Sequence, residues 1–477
     1  MNKILVISND LVDQKMAGVG VRFWEIAKAL APGCEVTLAI PNATKLADAR
    51  IKIVCYDPEH GDLRGLAGQA DVIVLGGFTL HFHPYLSELG VPIAVDLYVP
   101  NLLESLVWHE RDDAADWIPR YEEYLRVQLE HLRAGDFFFC ASERQRDYWL
   151  GFLHAQKRIN PHTYHADHAL RRLIDVVPYG LPEGPLPERR PALKGIHPGI
   201  PDDAFLILWN GGLWDWLDPL TLVRAMAELE KSMPEARLYF LGTSHPDSRI
   251  TEVSMPEQTV RLSQELGLFD RTIFFGDWAP YQERVNFLQE ADLAVVLFAD
   301  HIETRFSFRT RLLDCIWAGL PIVTNGGDEL SDRMVRAGMG MQVPYGDVSA
   351  LARTIESQRL GRKAGGDAEG WEKLRQEFRW GKATAPLLAF CQNPHLAEDK
   401  GHYLTDLERI TRDKDAFLEQ VIHDKDAFLE QVIRDKDAYL ANVTAERDQL
   451  HAILDHYHRT LPFRVYFSLR KLIKRKS

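Results

Sequence analysis

The sequence predicts an α/β protein of two Rossmann-like domains, each a parallel sheet with helices on its faces, followed by a long α-helical coiled coil. Three observations carry this. Short apolar runs alternate with helical spacers, and the series starts twice. Between the two series, residues 178–187 are crowded with proline and glycine, the mark of a linker. From Arg412 an 11-residue unit repeats. The expected organisation is one domain at 1–178, a second at 179–395, a repeat segment at 399–457 and a basic tail at 458–477.

Composition sets the limits. A chain of 477 residues exceeds what a single core serves, and 46% hydrophobic with 26% charged residues is ordinary for a soluble globular protein. A net charge of −13 argues against nucleic acid as a partner. The five cysteines are scattered without a CxxC, which reads as reduced thiols in a cytosolic protein. The chain enters a strand at once and holds no run of 18 apolar residues, so neither a signal peptide nor a membrane span is expected.

In the first half, strand-like runs cover Ile4 to Ser8, Glu35 to Ile40, Ile51 to Cys55, Val72 to Leu75, Ile93 to Asp96, Phe137 to Ala141 and Ile174 to Val177. Gly18-Val19-Gly20 closes the loop after the first strand, where glycine lets backbone approach a ligand. Phe23 stands where a dinucleotide fingerprint needs its third glycine, and a ligand-free turn explains the loop equally well. Asp96 ends a buried strand and faces the ligand crevice of such folds, or else caps the next turn. His81 and His83 would point the same way in an extended chain, but no third ligand lies nearby, so no metal is expected. Ser142 reads as a helix N-cap.

The second half restarts with Phe205 to Trp209, which runs into Asn210-Gly211-Gly212. Leu222, Ala225, Met226 and Leu229 give Thr221 to Lys231 an apolar helical face. Strands follow at Arg237 to Leu241 and Ile273 to Gly276, then at Ala291 to Phe298 and Pro321 to Thr324. Between the last two, a segment reads as one helix carrying Ser307, Arg309, Thr310, Arg311 and Asp314. A guanidinium and a carboxylate at a strand–helix junction suit a diphosphate and a ribose; a capped helix with a surface ion pair is the plainer alternative. Trp371 to Cys391 reads as a helix able to pack back across the domain boundary.

The order of these motifs is specific. Gly18-Val19-Gly20, Val177-Pro178-Tyr179-Gly180, Asn210-Gly211-Gly212, Gly276-Asp277-Trp278, Asp314 to Val323 and Asn325-Gly326-Gly327 follow one another in the chain. Over roughly residues 1–395 the sequence resembles the GT-B glycosyltransferases of family 4. The resemblance implies a nucleotide-diphosphate sugar held by the second domain, an acceptor held by the first, transfer with retention of configuration, and no cofactor or metal. It implies that Gly18 and Gly20 lie beside the donor diphosphate with Asn210, Gly211 and Gly212 opposite. It further implies that Trp278 contacts the base, that Asp314 accepts ribose hydroxyls, and that Asp96 falls near a catalytic-site position. Counting back eight from Asp314 reaches Phe306, so the first glutamate of the family's E-x7-E pattern is missing; Glu303 is the nearest acid and Ser307 the nearest hydroxyl. The usual Arg and Lys after the glycine loop are also absent, with Trp214, Asp215 and Trp216 in their place. Arg309 and Arg311 are the candidates to replace them, since leaving-group stabilisation still needs positive charge.

In the repeat, Phe417, Val421, Phe428, Val432, Tyr439, Val443 and Leu450 form a stripe spaced alternately four and seven, as a right-handed or nearly straight supercoil requires. Residues 412–457 would extend about 70 Å and are expected to form a homo-oligomer; a lone helix laid on the body is the alternative. The acid-free tail, 458–477, interleaves basic and aromatic residues and reads as an amphipathic helix on anionic lipid, with nucleic acid as the weaker reading. The expectation is a cytoplasmic glycosyltransferase, peripheral on the inner face of the cytoplasmic membrane, acting on a glycan or lipid-linked acceptor. A sugar-nucleotide epimerase of the same fold and a catalytically weak membrane scaffold are the rivals.

Overall fold

The computed structural model describes residues 1–110, 112–247, 253–360, 368–400, 405–459 and 461–473, in two units, Met1–Lys400 and Gly401–Ser477. In the first unit, β1 to β7 are Lys3–Ile7, Glu35–Ile40, Ile51–Cys55, Val72–Gly76, Ile93–Asp96, Phe137–Cys140 and Ile174–Val176. They form a seven-stranded parallel sheet ordered β3-β2-β1-β4-β5-β6-β7. A six-stranded parallel sheet follows, with β8 to β13 at Phe205–Asn210, Ala236–Leu241, Ile273–Gly276, Leu293–Val296, Ile322–Thr324 and Gly340–Gln342. Its order is β10-β9-β8-β11-β12-β13. Strands such as β4 and β8 are buried along their whole length because helices cover both faces, which is why they read as unbroken apolar runs.

Each sheet reverses direction of growth beside its first strand, between β1 and β4 and between β8 and β11. At such a point adjacent loops part and open a crevice beyond the carboxyl ends of the strands. Loops from both switch points line one cleft: Asn9, Asp10, Gly76 and Gly77 from the first sheet, and Asn210 to Gly212 from the second.

Two expected helices are divided. The segment from His301 forms Ile302–Phe306 and Thr310–Ala318, with Ser307 and Arg309 in extended backbone between them. The stretch from Trp371 forms Ala368–Glu377, Trp380–Ala383 and Ala385–Gln392. The backbone between the first two leaves helix to bridge the hinge: Leu181 donates to the Phe378 carbonyl and Trp380 to that of Leu181. Pro386 then opens the third, where a missing N–H does no harm. This return packs on the first domain through Phe137 and Phe390, 4.9 Å between centroids, and through the Asn2 amide on the Cys391 carbonyl at 2.9 Å. Gly180 lies under the Trp380 ring, where a Cβ would come within 2.4 Å, so the hinge glycine is needed for packing.

The upstream boundary of the repeat also shifts. Asp399, where the repeat was expected to begin, is fully buried and pairs with Arg158 at 2.7 Å, and Lys400 pairs with Asp136 at 2.6 Å. Both belong to the globular unit. In the second unit the repeat forms a single helix, Thr405–Arg459, with Phe417, Phe428 and Tyr439 each about two-thirds exposed; Leu461–Ile473 forms a second helix.

Candidate active site

The cleft has a larger chamber of about 610 Å³ and a smaller one of about 160 Å³. Ala17, Gly18, Trp214, Thr310 and Arg311 line both. Two hydrogen bonds to main-chain carbonyls join the two halves around it: the Trp278 indole N–H donates to Met16 O at 3.1 Å, and the Tyr281 backbone N–H to Gln14 O at 2.8 Å.

The helix Gly18–Leu30 begins at the junction of the chambers. Its N-cap, Ala17, offers no side-chain acceptor; the Asp10 carboxylate takes the Gly20 amide, and Gly18 and Val19 bring the positive end of the helix dipole to the cleft wall. Space beside Gly18 is open. Gly20 differs: a Cβ there would lie 2.1 Å from the Leu11 carbonyl oxygen, and the residue lines neither chamber. Its expected place beside a diphosphate is corrected to packing of the first helical turn against Leu11 and Met16 of the preceding loop.

Asn210, Gly211, Gly212, Trp278, Thr310, Arg311 and Asp314 come together around the smaller chamber. Gly211 has φ +132°, a conformation that excludes a side chain without strain, and it lets β8 turn sharply into the cleft. Asn210 donates to the Arg311 carbonyl at 2.7 Å, which ties the glycine turn to the helix Thr310–Ala318. Trp278 packs over Gly212 and Gly242. Arg311 donates through Nη2 to the Gly212 carbonyl at 2.9 Å, while its Nη1 is buried with no partner. Burial, then the neighbouring Arg309 charge, pulls the Arg311 pKa down to about 9, which leaves it cationic at neutral pH and short of an anion. Arg311 and Asp314 do not pair. Asp314 instead accepts from Arg284 Nε at 3.0 Å, and that guanidinium lies 3.9 Å above the Tyr281 ring. Arg284 is a site residue the sequence did not disclose, because it opens a separate helix, Arg284–Glu290, 30 residues away, with no motif around it.

The larger chamber revises three expectations. Arg309 was expected as a phosphate clamp; it is buried, bonded to Glu303, and stacked 4.6 Å from the Phe298 ring. Its charge is already matched, which leaves Arg311 as the unmatched cation of the two. Ser307 lines the chamber, but its hydroxyl donates to the Thr304 carbonyl at 3.1 Å. Asp96 reaches the chamber floor, yet both its oxygens accept from Arg22, at 2.5 and 3.1 Å. Glu104, on the helix Asn101–Trp108, also lines this chamber. Burial, then the charge of Glu303, pushes its carboxyl up to about 8. Nearby His131 is held neutral, its pKa pulled to about 4 by burial. His81 and His83 lie in and just after a short helix, Thr79–Phe82, and not in extended chain. Among the described residues no cluster of three or more His, Cys, Asp or Glu could hold a metal ion.

Residues 204–358 match the family described as "Glycosyl transferases group 1". Over that span the chain is similar to the group 1 glycosyltransferases. The matched span runs from β8 past the helix that carries Arg311 and Asp314. A D-inositol 3-phosphate glycosyltransferase from Mycolicibacterium smegmatis is 28% identical over 239 residues, 49% of this chain and 50% of that protein. The chain thus spans about half the length of the curated relative it matches. Among solved structures, sucrose-phosphate synthase from Thermosynechococcus elongatus aligns with a TM-score of 0.60 at 16% identity, covering 82% of this chain and 99% of that one. The Anabaena protein HepE, solved with UDP and glucose, aligns with a TM-score of 0.54 at 14% identity, covering 82% and 100%. At these identities the likeness is one of fold, and it extends the two-sheet GT-B architecture over the whole globular unit.

Proposed function

We propose that the protein is a glycosyltransferase that takes a sugar from a nucleoside-diphosphate donor in the smaller chamber and transfers it to a glycan acceptor entering the larger one. The observation that carries this is Arg311: a cationic group with one buried, unpartnered N–H, placed where the two chambers meet. A buried guanidinium left without an anion is costly, and a diphosphate would supply the missing partner. The start of the helix at Gly18 and the turn at Gly211 and Gly212 would surround the same diphosphate with amide N–H groups. In this reading Asp314, oriented by Arg284, accepts ribose hydroxyls, and Trp278 offers a ring to the base. HepE binds UDP and glucose in a protein of the same fold, which supports a nucleotide-sugar donor here.

As the bond from sugar to diphosphate breaks, charge grows on the leaving oxygens. Arg311 and the helix dipole face that charge already oriented, so the reading invokes no metal ion and no cofactor. Retention of configuration is part of the proposal on the strength of the motif order. Asp96, whose oxygens are taken up by Arg22, is assigned to holding the cleft floor and not to proton transfer.

The second unit supports a membrane setting. Its apolar stripe is exposed along the helix, which favours self-association through 412–457. The helix Leu461–Ile473 exposes Val465, Tyr466, Phe467 and Leu469 beside basic residues, a pattern that binds anionic lipid surfaces. No helix among the described residues is long and apolar enough to cross a membrane. The proposed setting is the inner face of the cytoplasmic membrane, with a lipid-linked acceptor.

A thermal-shift panel of UDP, GDP, dTDP, CMP and NAD tests the donor reading. A ligand at a hundred times its dissociation constant stabilises the fold by about 2.7 kcal/mol, a readable shift. One nucleoside diphosphate is expected to raise Tm, and a flat response to all of them would overturn the assignment.

A further inference from the structure

Glu104 and Trp108 stand four residues apart on the helix Asn101–Trp108, hence on one face, and both line the larger chamber. Across the cleft, the loop after β8 presents Trp214 and Trp216, their rings stacked at 5.0 Å and 7°. Trp108 meets Trp216 at 6.3 Å and 65°, so aromatic surface from both halves bounds one end of the chamber. Flat aromatic faces suit the C–H faces of a sugar ring, whose rim of hydroxyls then needs groups that both donate and accept hydrogen bonds.

Glu104 is such a group. Glu303 and Arg309 from the second half and Tyr98 from the loop after β5 interact with it, and Asp96 from the end of β5 and Gln128 and His131 from the helix Ala114–Ala134 line the same chamber. Glu303 is bonded to Arg309 and Asp96 to Arg22, so the fixed charges around Glu104 cancel in pairs, while His131 is neutral. The carboxyl is pushed toward its protonated form, in which it both donates and accepts. Glu303 Oε1 and Arg309 Nε are buried beside it with no hydrogen-bond partner. An anionic group brought to this end would be desolvated next to a carboxyl, with the nearest cation already matched.

We propose that Glu104 and Trp108, with Trp216 opposite, form the subsite for the terminal residue of the acceptor, and that this residue is an uncharged sugar ring. The proposal rests on the reading that the smaller chamber holds the donor nucleotide. It places the acceptor hydroxyl on the side of Arg311 away from the base and makes Glu104 a specificity-determining residue.

Saturation-transfer NMR on the full chain, with whichever nucleoside diphosphate of the thermal-shift panel raises Tm present at saturation, tests it. The probes are octyl glycosides with glucose, galactose, mannose or N-acetylglucosamine heads, against the octyl glucuronide and galacturonide. At least one neutral glycoside is expected to bind and the uronides not. Glu104→Ala and Trp108→Ala are each expected to weaken the neutral glycoside about tenfold or more, whereas Glu104→Gln, which keeps a donor and an acceptor, retains it. All three variants should keep the nucleotide-induced rise in Tm, which also shows that they fold. A uronide bound as well as the neutral heads, no neutral head bound, or undiminished binding in both alanine variants would overturn the subsite. Absence of any nucleotide shift in the unmodified protein is a different failure, that of the donor reading.

Discussion

Arg22 and Asp96 meet in a two-point ion pair beneath the cleft, Nε to Oδ2 at 2.5 Å and Nη2 to Oδ1 at 3.1 Å, with both side chains almost wholly buried. Arg22 Nη2 also donates to the Val177 carbonyl at 2.9 Å. One guanidinium thus joins the first helix, the end of β5 and the start of the interdomain hinge. Removing either partner leaves an uncompensated charge in the core, which costs about 3–5 kcal/mol. Arg22→Ala and Asp96→Ala are therefore both expected to lower the urea midpoint sharply at an unchanged m-value. A normal midpoint with lost turnover in the Asp96 variant alone would return that residue to a catalytic role.

Arg311 makes the opposite case. It has one bond to the Gly212 carbonyl and an unmatched N–H in the cleft, so its loss removes an interaction that the free protein does not complete. Arg311→Ala is expected to weaken nucleoside-diphosphate binding about tenfold to a hundredfold by calorimetry, the equivalent of about 1.5–3 kcal/mol. Unfolding by urea should move little. Unchanged affinity would remove Arg311 from the donor site.

Asp314 is oriented by Arg284, and the two form one unit. If the carboxylate receives ribose hydroxyls, Asp314→Asn should weaken a ribonucleoside diphosphate more than its 2′-deoxy counterpart, which already lacks a hydroxyl. Competition between UDP and dUDP, or the pair with the preferred base, measures this. Equal losses for both would show that Asp314 does not read the ribose.

Glu104 sets a pH dependence with a definite sign. Its carboxyl is raised to about 8, so it is largely protonated at neutral pH and ionises as pH rises through that value. Ionisation removes its hydrogen-bond donor and adds a desolvated charge, so KM for the acceptor should climb above about pH 8 while donor binding stays level. Glu104→Gln cannot ionise and should abolish this limb. A Gln variant that keeps the limb would assign it to another group.

The exposed stripe of Thr405–Arg459 predicts concentration-dependent assembly. Phe417→Lys with Phe428→Lys should shift light-scattering mass toward a single chain without lowering the Tm of the globular unit. Removal of 458–477 should release the protein from vesicles containing phosphatidylserine and leave nucleotide binding intact. Undisturbed mass in the first case, or undisturbed sedimentation with vesicles in the second, would break the corresponding assignment.

Much of this protein was legible from local pattern. Strands buried on both faces read as continuous apolar runs, glycine and proline at 178–187 read as a hinge, and the helix after β8 showed its buried face in Leu222, Ala225, Met226 and Leu229. These features depend on neighbours a few residues apart, a range at which backbone geometry dictates what must recur. Arg311, Asp314 and the glycine turn at Gly211 were nameable for the same reason, since strand ends and helix starts are written locally. What the sequence could not decide was which charges are spent. Arg309 and Arg311 stand two residues apart and look equivalent, yet one is matched by Glu303 and the other is not. Asp96 read either as a crevice acid or as a cap on the next turn; it does cap that turn, accepting from the Tyr98 N–H at 3.0 Å, but Arg22, 74 residues before it, bonds both oxygens as well. Arg284 carried no signal because its partner Asp314 sits on another helix 30 residues on, and Glu104 because the charges that act on it, Glu303 and Arg309, come from across the cleft. Burial and pairing are set by which distant residues fill the same volume. That is decided only when the two sheets have closed on one another, because the cost of an unpaired charge depends on the water excluded around it.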